Sequence, residues 1–118
     1  MNSNTSECLF CGIACKEISA DIIYETDEVI AFNDIDPKAP VHCLIIPKKH
    51  ISTINDIGKS NSAVVGLLYE AAAIIPKMLN IADYGYRVVM NCNSDAGQTV
   101  FHIHLHLLAG RELTWPPG

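Results

Sequence analysis

Short runs of apolar residues separated by polar turns recur along the chain, and this pattern is typical of β-strands. Five such runs predict strands, over residues 22–25, 29–32, 41–46, 86–91 and 100–108. Between the third and fourth runs, residues 60–82 are rich in Ala, Leu and Ile and predict one long helix. Ser60, Asn61 and Ser62 are the candidate N-cap residues of that helix.

The order of these elements predicts a single α+β domain. Strand-rich halves on either side of one long helix favour a sheet with helices packed on one face. Residues 8–18 mix cysteines with apolar residues and predict a short helix or turn. We therefore predict one domain over residues 1–118, with a polar, flexible start at residues 1–7 and a C-terminal tail at residues 109–118.

The last predicted strand contains the most distinctive pattern of the chain, because residues 101–107 read FHIHLHL. Successive side chains of a strand point to opposite faces, so His102, His104 and His106 are expected on one face. The apolar residues of the run, Phe101 included, are expected to face the core. An ordinary amphipathic strand is the simpler interpretation, but three histidines in strict alternation favour a functional site.

Two kinds of chemistry use such a row of imidazoles. A His-x-His pair on a strand can bind zinc, and an open coordination position on the metal then supports hydrolysis. Alternatively, one neutral imidazole is a nucleophile while its neighbours hold an anion such as a phosphate. Asn91, Ser94 and Thr99 precede the strand and can add polar contacts to either site. The residues alone leave both interpretations open.

Composition and charge narrow the classes of protein that remain. The chain has 118 residues, of which 49% are hydrophobic and 18% are charged, and this balance excludes intrinsic disorder. Its formal net charge of −5 offers no basic excess, so we predict neither a nucleic-acid partner nor a membrane surface. We recognise no signal peptide and no membrane span in the sequence. Five cysteines, an odd number, with Cys43 inside an apolar run, predict a reducing, cytoplasmic setting.

The histidine run, taken with the residues around it, resembles the signature of the histidine triad family, His-φ-His-φ-His-φ-φ, in which φ is apolar. The resemblance extends to the branch of that family formed by the nucleoside phosphoramidate hydrolases. Matching segments follow the family's order across residues 8–118. They are residues 32–35 (FNDI), 39–42 (APVH), 46–51 (IPKKHI), 97–108 (GQTVFHIHLHLL), 110–111 (GR) and 115–118 (WPPG).

The resemblance implies an α+β fold and catalytic roles for four side chains. His104, the middle histidine, is expected to attack the α-phosphorus of a purine nucleoside phosphoramidate and to form a nucleotidyl-histidine. The amine then leaves, and water releases a nucleoside monophosphate without any required cofactor. His106 and His42 are expected to bind phosphate oxygens or to assist the leaving group. Thr99 is expected to form the hydrogen bond that a serine often makes in this branch.

The resemblance also implies which residues hold the phosphate and the ribose. Asn91 is expected in the phosphate region. Asp34, with Ile35 beside it, is expected to accept hydrogen bonds from the ribose hydroxyls. Aspartate is also common in turns, where its carboxylate caps the loop, so a purely structural role for Asp34 stays open.

An apolar slot for the purine base is implied as well, lined by Phe10, Ile18 and Phe32. All three residues also suit ordinary core positions. The family is typically homodimeric, with sheets and central helices joined across a two-fold axis. Its C-terminal tail commonly reaches toward the partner's site, which gives Trp115 a possible role in substrate specificity, although packing of the tail explains Trp115 equally well.

Cys8 and Cys11 form a CxxC motif, which is a weak signal on its own. A structural zinc site needs four nitrogen or sulfur ligands. Some members of the family complete such a site with the histidine after Pro-Lys-Lys and the first histidine of the triad. In this chain those residues are His50 and His102, and the implied zinc would tie the N-terminal segment to the sheet. Two free thiols are the alternative.

Three other functions compete with the phosphoramidate hydrolase. A dinucleotide polyphosphate hydrolase or nucleotidyl transferase would use the same fold, although the WPPG ending favours the phosphoramidase branch. A catalytic zinc hydrolase would use all three triad histidines as metal ligands. A nucleotide-binding partner protein would bind a monophosphate tightly and show negligible turnover.

Overall fold

A computed structural model describes residues 7–118 and shows an α+β fold built on one antiparallel sheet. The predicted flexible start therefore lies outside the described residues, except for the exposed Glu7. The helices and strands, in chain order, are α1 (Leu9–Ala14), β1 (Ile22–Glu25), β2 (Val29–Asn33), β3 (Val41–Pro47), α2 (Ser62–Met78), β4 (Tyr86–Val89) and β5 (Leu105–Ala109). Short 3₁₀ turns lie at Ile54–Asp56, Ala82–Tyr84 and Ser94–Ala96.

The five strands form one sheet in the order β1-β2-β3-β5-β4, and every neighbouring pair is antiparallel. The last strand, β5, therefore lies in the interior of the sheet between β3 and β4. This position places the histidine run beside His42, since β3 and β5 pair residue by residue from Val41 with Ala109 to Ile45 with Leu105.

One face of the sheet holds the main hydrophobic core and packs against α2. Its fully buried residues come from every central element, and they include Ala31 of β2, Ile45 of β3, Leu68 of α2 and Leu107 of β5. Burial of such side chains provides about 1.5–3 kcal/mol each and is the main source of stability. Across residues 7–118, no helix combines the length and the apolar character that crossing a membrane requires.

The opposite face of the sheet carries the histidines and is partly covered by α1. Cross-strand pairing aligns Ile22, Phe32, Leu44 and His106 in one row on β1, β2, β3 and β5. Phe10 and Ile13 of α1 pack against this face in a second, smaller hydrophobic cluster. A helix of six residues is marginal by itself, so α1 depends on these contacts.

The prediction of a strand over residues 100–108 is wrong in its first half, because β5 begins only at Leu105. If the antiparallel register continued beyond Ile45 and Leu105, the next hydrogen-bonded pair would be Pro47 and Ile103. Pro47 has no backbone N–H, so the ladder cannot continue there. Ile103 instead donates its backbone N–H to the carbonyl of Ile51 over 2.7 Å. Phe101, expected in the core, is 47% exposed as a result.

The long helix and the fourth strand are both shorter than predicted. Helix α2 ends at Met78 rather than near residue 82, and Asn80 adopts a positive φ of 61° just beyond it. Pro76 lies in the last turn of α2 and does not interrupt it. Strand β4 ends at Val89, two residues before the predicted end.

Gly110 provides a test of the packing that follows β5. Its φ of +93° disfavours any side chain, and a Cβ there would lie 2.8 Å from Cβ of Pro40. We expect Gly110→Ala to lower the free energy of unfolding by about 1–3 kcal/mol. The control is Gly66→Ala on an exposed part of α2, where a Cβ meets nothing within 4 Å and should stabilise the helix. Urea denaturation of both variants checks this, and equal stabilities would contradict it.

Candidate active site

The three histidines of the run lie in two neighbouring clusters on the face of the sheet opposite α2, which we call the site face. His102 lies with His50, their ring centroids 5.0 Å apart. His104 and His106 lie 5.0 Å apart, and His42 lies 5.3 Å from His106. The ring of Phe10 neighbours both clusters, with its centroid 5.9 Å from that of His102 and 5.1 Å from that of His104.

His104 is buried and has one ring nitrogen assigned by its partner. Its Nδ1 lies 2.8 Å from the backbone carbonyl oxygen of His102. A carbonyl oxygen can only accept, so Nδ1 carries the proton and donates it to this hydrogen bond. In the neutral ring, Nε2 of His104 then keeps a free lone pair, which is the form that a nucleophile needs.

A second set of hydrogen bonds gives His106 the opposite tautomer. The backbone N–H of Lys38 donates to Nδ1 of His42 over 3.0 Å, so the neutral His42 carries its proton on Nε2. That Nε2–H donates to Nδ1 of His106, also over 3.0 Å. His106 must then carry its own proton on Nε2. The two neighbouring rings therefore offer one lone pair, from His104, and one N–H donor, from His106.

Burial keeps these imidazoles neutral. Burial lowers the pKa of His104 and of His42 below the usual value, and it lowers the pKa of His106 to about 4. The neighbouring rings of His104 and His42 add to the lowering at His106, while the carboxylate of Asp34 opposes it. At neutral pH, the tautomers assigned above are consequently the dominant forms.

Asp34 orders the loop that carries Lys38. Its Oδ1 accepts the backbone N–H of Asp36 over 2.8 Å, which is the turn role that aspartate commonly plays. Its Oδ2 lies 3.4 Å from Nε2 of His42. Asp34 therefore connects the turn to the imidazole chain, and it also lines both cavities that meet at the histidines.

The larger cavity, of about 460 Å³, extends from the imidazoles across the site face. The rings of His104 and His106 and the side chain of Thr99 line it. All the residues predicted for the purine slot and the ribose line it as well, namely Phe10, Ile18, Phe32, Asp34 and Ile35. Phe10 and Phe32 are also core residues, 4% exposed each, as the alternative interpretation expected. Ile35 is fully exposed at the rim.

A second cavity, of about 410 Å³, lies on the other side of His106. Asn91 lines it together with Asp34, His42 and His106, so Asn91 lies beside the imidazole pair. Trp115 lines neither cavity and is 80% exposed. The guanidinium carbon of Arg87 lies 5.8 Å from the centre of the Trp115 ring. Of the predicted site residues, Trp115 is the one that the structure leaves apart.

The second histidine cluster can hold a metal ion. Cys8, Cys11, His50 and His102 each offer one ligand atom, and these atoms lie within 4.8 Å of one another. Sγ of Cys11 is 3.2 Å from Nδ1 of His50 and 3.5 Å from Nδ1 of His102, and Sγ of Cys8 is 3.4 Å from Nδ1 of His102. Sulfur and nitrogen ligands of a tetrahedral zinc lie about 3.5 Å apart, so the spacing fits zinc.

The histidine tautomers of this cluster support the same conclusion. Nε2 of His102 donates to the backbone carbonyl of Pro47 over 2.7 Å, which leaves a lone pair on Nδ1 facing the thiols. Nε2 of His50 lies 3.1 Å from Oγ of Ser52, so its Nδ1 can likewise serve as a ligand. Pro47 and Ser52 act on the cluster, and sequence reasoning missed both.

Another group of potential metal ligands, formed by Asp34, His42 and His106, fits a cation poorly. The Lys38 N–H occupies the lone pair of His42 Nδ1, so its Nε2 carries a proton where a metal would bind. The ring of His102 faces the thiols and not this group. The structure therefore opposes a catalytic zinc held by all three triad histidines.

Comparisons with known proteins agree with this geometry. The model of one protein family, described as the HIT domain, matches residues 15–113. The chain is 47% identical over 107 residues to the purine nucleoside phosphoramidase of Escherichia coli strain K12, covering 91% of this chain and 90% of that protein.

Solved structures show the same similarity in three dimensions. A HIT family hydrolase from Legionella pneumophila superposes with a TM-score of 0.92 at 50% identity, covering 94% of this chain and 99% of that one. A histidine triad protein from Clostridium difficile superposes with a TM-score of 0.89 at 42% identity, covering 92% and 94%.

The lowered pKa of His106 predicts that acid destabilises the protein. An unfolded histidine titrates near pH 6.5, whereas the pKa of folded His106 is about 4. The unfolded state therefore binds more protons between these values, so stability is complete above about pH 6.5 and is lost as the pH falls toward 4. Urea denaturation at several pH values checks this. His106→Asn should flatten the dependence, and an unchanged dependence in that variant would refute the assignment.

Proposed function

We propose that this chain, which belongs to the HIT domain family and is a hydrolase, cleaves the P–N bond of purine nucleoside phosphoramidates. The products are a nucleoside monophosphate and an amine. The main structural support is the arrangement of two adjacent imidazoles. The buried imidazole of His104 presents a free lone pair and the half-buried imidazole of His106 presents an N–H donor, and both line a cavity that suits a nucleoside.

The lone pair of His104 makes it the nucleophile of the proposed mechanism. Nε2 attacks the α-phosphorus, the P–N bond breaks, and the nucleotidyl group is transferred to His104. Nδ1–H of His104 stays hydrogen-bonded to the carbonyl of His102, which stabilises the positive ring of the intermediate. Water then attacks the phosphorus and frees His104. The departing nitrogen takes up a proton from solvent as the P–N bond breaks, and the attacking water returns a proton to solvent in the second step. Over both steps, the hydroxyl of one water ends on phosphorus and one proton ends on the amine.

The N–H of His106 has the complementary role. It donates to an α-phosphate oxygen, where negative charge increases in the transition state. His42 acts through His106, because its Nε2–H holds His106 in the tautomer that donates. Asn91 lines the cavity beside this pair and Thr99 lines the larger one, and both offer further polar groups to the phosphate.

The nucleoside then occupies the larger cavity. Phe10 and Phe32, whose rings meet edge to face with centroids 5.5 Å apart, provide an apolar wall for the base, and Ile18 closes it. Asp34 and Ile35 lie at the junction of the cavities, where the ribose of a bound nucleotide would lie. Oδ2 of Asp34 is the atom suited to accept from its hydroxyls.

We propose that zinc occupies the cluster of Cys8, Cys11, His50 and His102 and has a structural role. Four nitrogen and sulfur ligands complete the coordination of zinc, so this metal would leave no open position for chemistry. Phe10 lies between the two cysteines, so the metal would fix one wall of the base slot. Both thiols must stay reduced to bind zinc, which supports a reducing, cytoplasmic location.

We also propose that the protein is a homodimer. Within residues 7–118, β4 pairs with β5 alone and leaves one edge of the sheet free. Several apolar side chains of α2, of the segment that leads into β4 and of β4 itself are exposed and could contact a partner, namely Tyr69, Ile74, Met78, Tyr84 and Tyr86. Arg87 of β4 donates to the carbonyl of Thr114, so the tail follows the same edge and Trp115 could reach a partner's site.

Light scattering should give twice the 12.9 kDa chain mass.

Three substitutions test the separate roles of His104 and His106. With adenosine 5′-phosphoramidate, His104→Gln should abolish release of AMP, since the nucleophile is lost. His106→Ala should lower kcat by about 10²–10³, the effect of losing one donor to a transition-state oxyanion. His106→Gln, which keeps an N–H donor, should recover part of that loss. An unchanged circular dichroism spectrum controls for folding, and full turnover by His104→Gln would exclude the mechanism.

Removal of the metal tests the structural role of zinc. If zinc is present at 100 times its Kd, chelation under reducing conditions should destabilise the fold by about 2.7 kcal/mol. That difference lowers Tm by on the order of 10 °C in a domain of this size. Cys11→Ser should lose the bound metal, whereas Cys15→Ser, at an exposed thiol outside the cluster, should keep it. Metal analysis of the purified variants decides, and equal metal contents would contradict the assignment.

A further inference from the structure

The loop between β2 and β3, residues 34–40, carries a backbone group that governs the tautomers of the site. The N–H of Lys38 donates to Nδ1 of His42 over 3.0 Å, which leaves the proton of the neutral His42 on Nε2. That Nε2–H donates in turn to Nδ1 of His106, also over 3.0 Å. The position of Lys38 therefore affects whether His106 presents an N–H donor to the cavities.

Arg111, which follows β5, holds the carbonyl group of the same residue. Its Nε and Nη2 both donate to the backbone carbonyl oxygen of Lys38, over 3.3 and 3.0 Å. Its Nη1 donates to the carbonyl oxygen of Glu112 over 3.0 Å, so all three guanidinium nitrogens bind the backbone. Among residues 7–118, no carboxylate forms an ion pair with Arg111. Hydrogen bonds from a charged donor are stronger than those between neutral groups, so the guanidinium constrains the Lys38 backbone.

The turn after β5 brings Arg111 to this loop. Strand β5 ends at Ala109, and Gly110 then adopts a φ of +93°. A Cβ on Gly110 would lie 2.8 Å from Cβ of Pro40, so the absence of a side chain lets the two segments approach each other closely. Arg111 is the next residue, and it reaches the carbonyl of Lys38, two residues before Pro40.

The other contacts of the loop do not replace the bonds from Arg111. The backbone N–H of Asp36 donates to Oδ1 of Asp34 over 2.8 Å, and the N–H of Asp34 donates to the carbonyl of His42 over 2.9 Å, so these bonds hold the first half of the loop. The ammonium of Lys38 pairs with Asp36 over 2.6 Å, but both side chains are exposed to water, where such a pair constrains little. Within the described part of the chain, Arg111 alone donates to the Lys38 carbonyl.

We propose that Arg111 is a positioning residue, which holds Lys38 and thereby keeps His106 in the tautomer that donates. The effect passes through His42. Without the guanidinium, the Lys38 N–H is no longer held toward Nδ1 of His42, and the proton of the neutral ring can move to that nitrogen. Nε2 of His42 then accepts from His106, which turns a lone pair instead of an N–H toward the phosphate. Oδ2 of Asp34, 3.4 Å from Nε2 of His42, still favours the original tautomer, so we expect a partial shift. The catalytic consequence rests on the function proposed above, whereas the effect on the tautomers does not.

Nitrogen-15 NMR of the histidine rings in the metal-loaded protein at pH 7 tests the proposal without turnover. In the wild-type protein, Nδ1 of His42 and Nδ1 of His106 should both give the signal of an unprotonated nitrogen. Arg111→Ala should move both signals upfield, toward that of a protonated nitrogen. His104 should keep its wild-type signals, because a backbone carbonyl fixes its Nδ1 proton. Arg111→Lys, which keeps one charged donor, should shift the signals less, and Glu112→Ala, the matched control at the next exposed side chain, should leave them unchanged.

Kinetics with adenosine 5′-phosphoramidate measure the catalytic consequence. Arg111→Ala should lower kcat about three- to tenfold, the effect of weakening one hydrogen bond, and should leave KM within about twofold of its wild-type value, since Arg111 lines neither cavity. In a His106→Ala background, the same change should have no further effect on kcat, because the donor is already absent.

The outcomes separate this inference from the proposed function. Unchanged Nδ1 signals in a folded Arg111→Ala protein would overturn the inference, whatever happens to kcat. If Arg111→Ala does not fold, the same signals in Arg111→Lys decide. An equal loss of kcat with and without His106 would also overturn it. If the wild-type protein cleaves no phosphoramidate, the proposed function falls, while the NMR signals still decide about Arg111.

Discussion

The hydrogen bond from Nδ1 of His104 to the carbonyl of His102, 2.8 Å long, determines what the site can do. It assigns the lone pair of His104 to Nε2, on the side of the cavity. His102 in turn is held by the bond from its Nε2 to Pro47, while its Nδ1 faces the thiols of Cys8 and Cys11. His102 thus connects the cluster that could hold a metal, the end of β3 and the ring of His104.

The sheet separates stability from chemistry by using its two faces. Helix α2 and the main core occupy one face, so residues such as Ile45 and Leu107 stabilise the fold without touching the cavity. The other face presents His106 in a cross-strand row with Leu44 and Phe32, and these neighbours are rigid because they are strand residues. The short helix α1 completes the cavity, and its cysteines and Phe10 connect the cluster that can bind zinc with the base slot.

Much of the fold was predictable from the sequence, because the strands near residues 22–47 and the long helix follow from apolar periodicity. The late start of β5 was not, since it depends on Pro47 lying opposite residue 103 across the sheet. Resemblance and alternation predicted His42, His104 and His106 as site residues, and the structure brings their rings together. Their tautomers depend on the His102 carbonyl and the Lys38 N–H, and backbone groups leave no signal in residue type.

In the proposed mechanism, two adjacent neutral imidazoles have opposite tautomers, which makes His104 the nucleophile and His106 the hydrogen-bond donor. Nitrogen-15 NMR of the histidine rings in the metal-loaded, substrate-free protein at pH 7 tests it directly, with His104→Gln and His106→Gln used to assign the signals. We expect a proton on Nδ1 and an unprotonated Nε2 for His104. For His106 we expect a proton on Nε2 and an unprotonated Nδ1. A proton on Nε2 of His104, or a positively charged His106 at this pH, would contradict it.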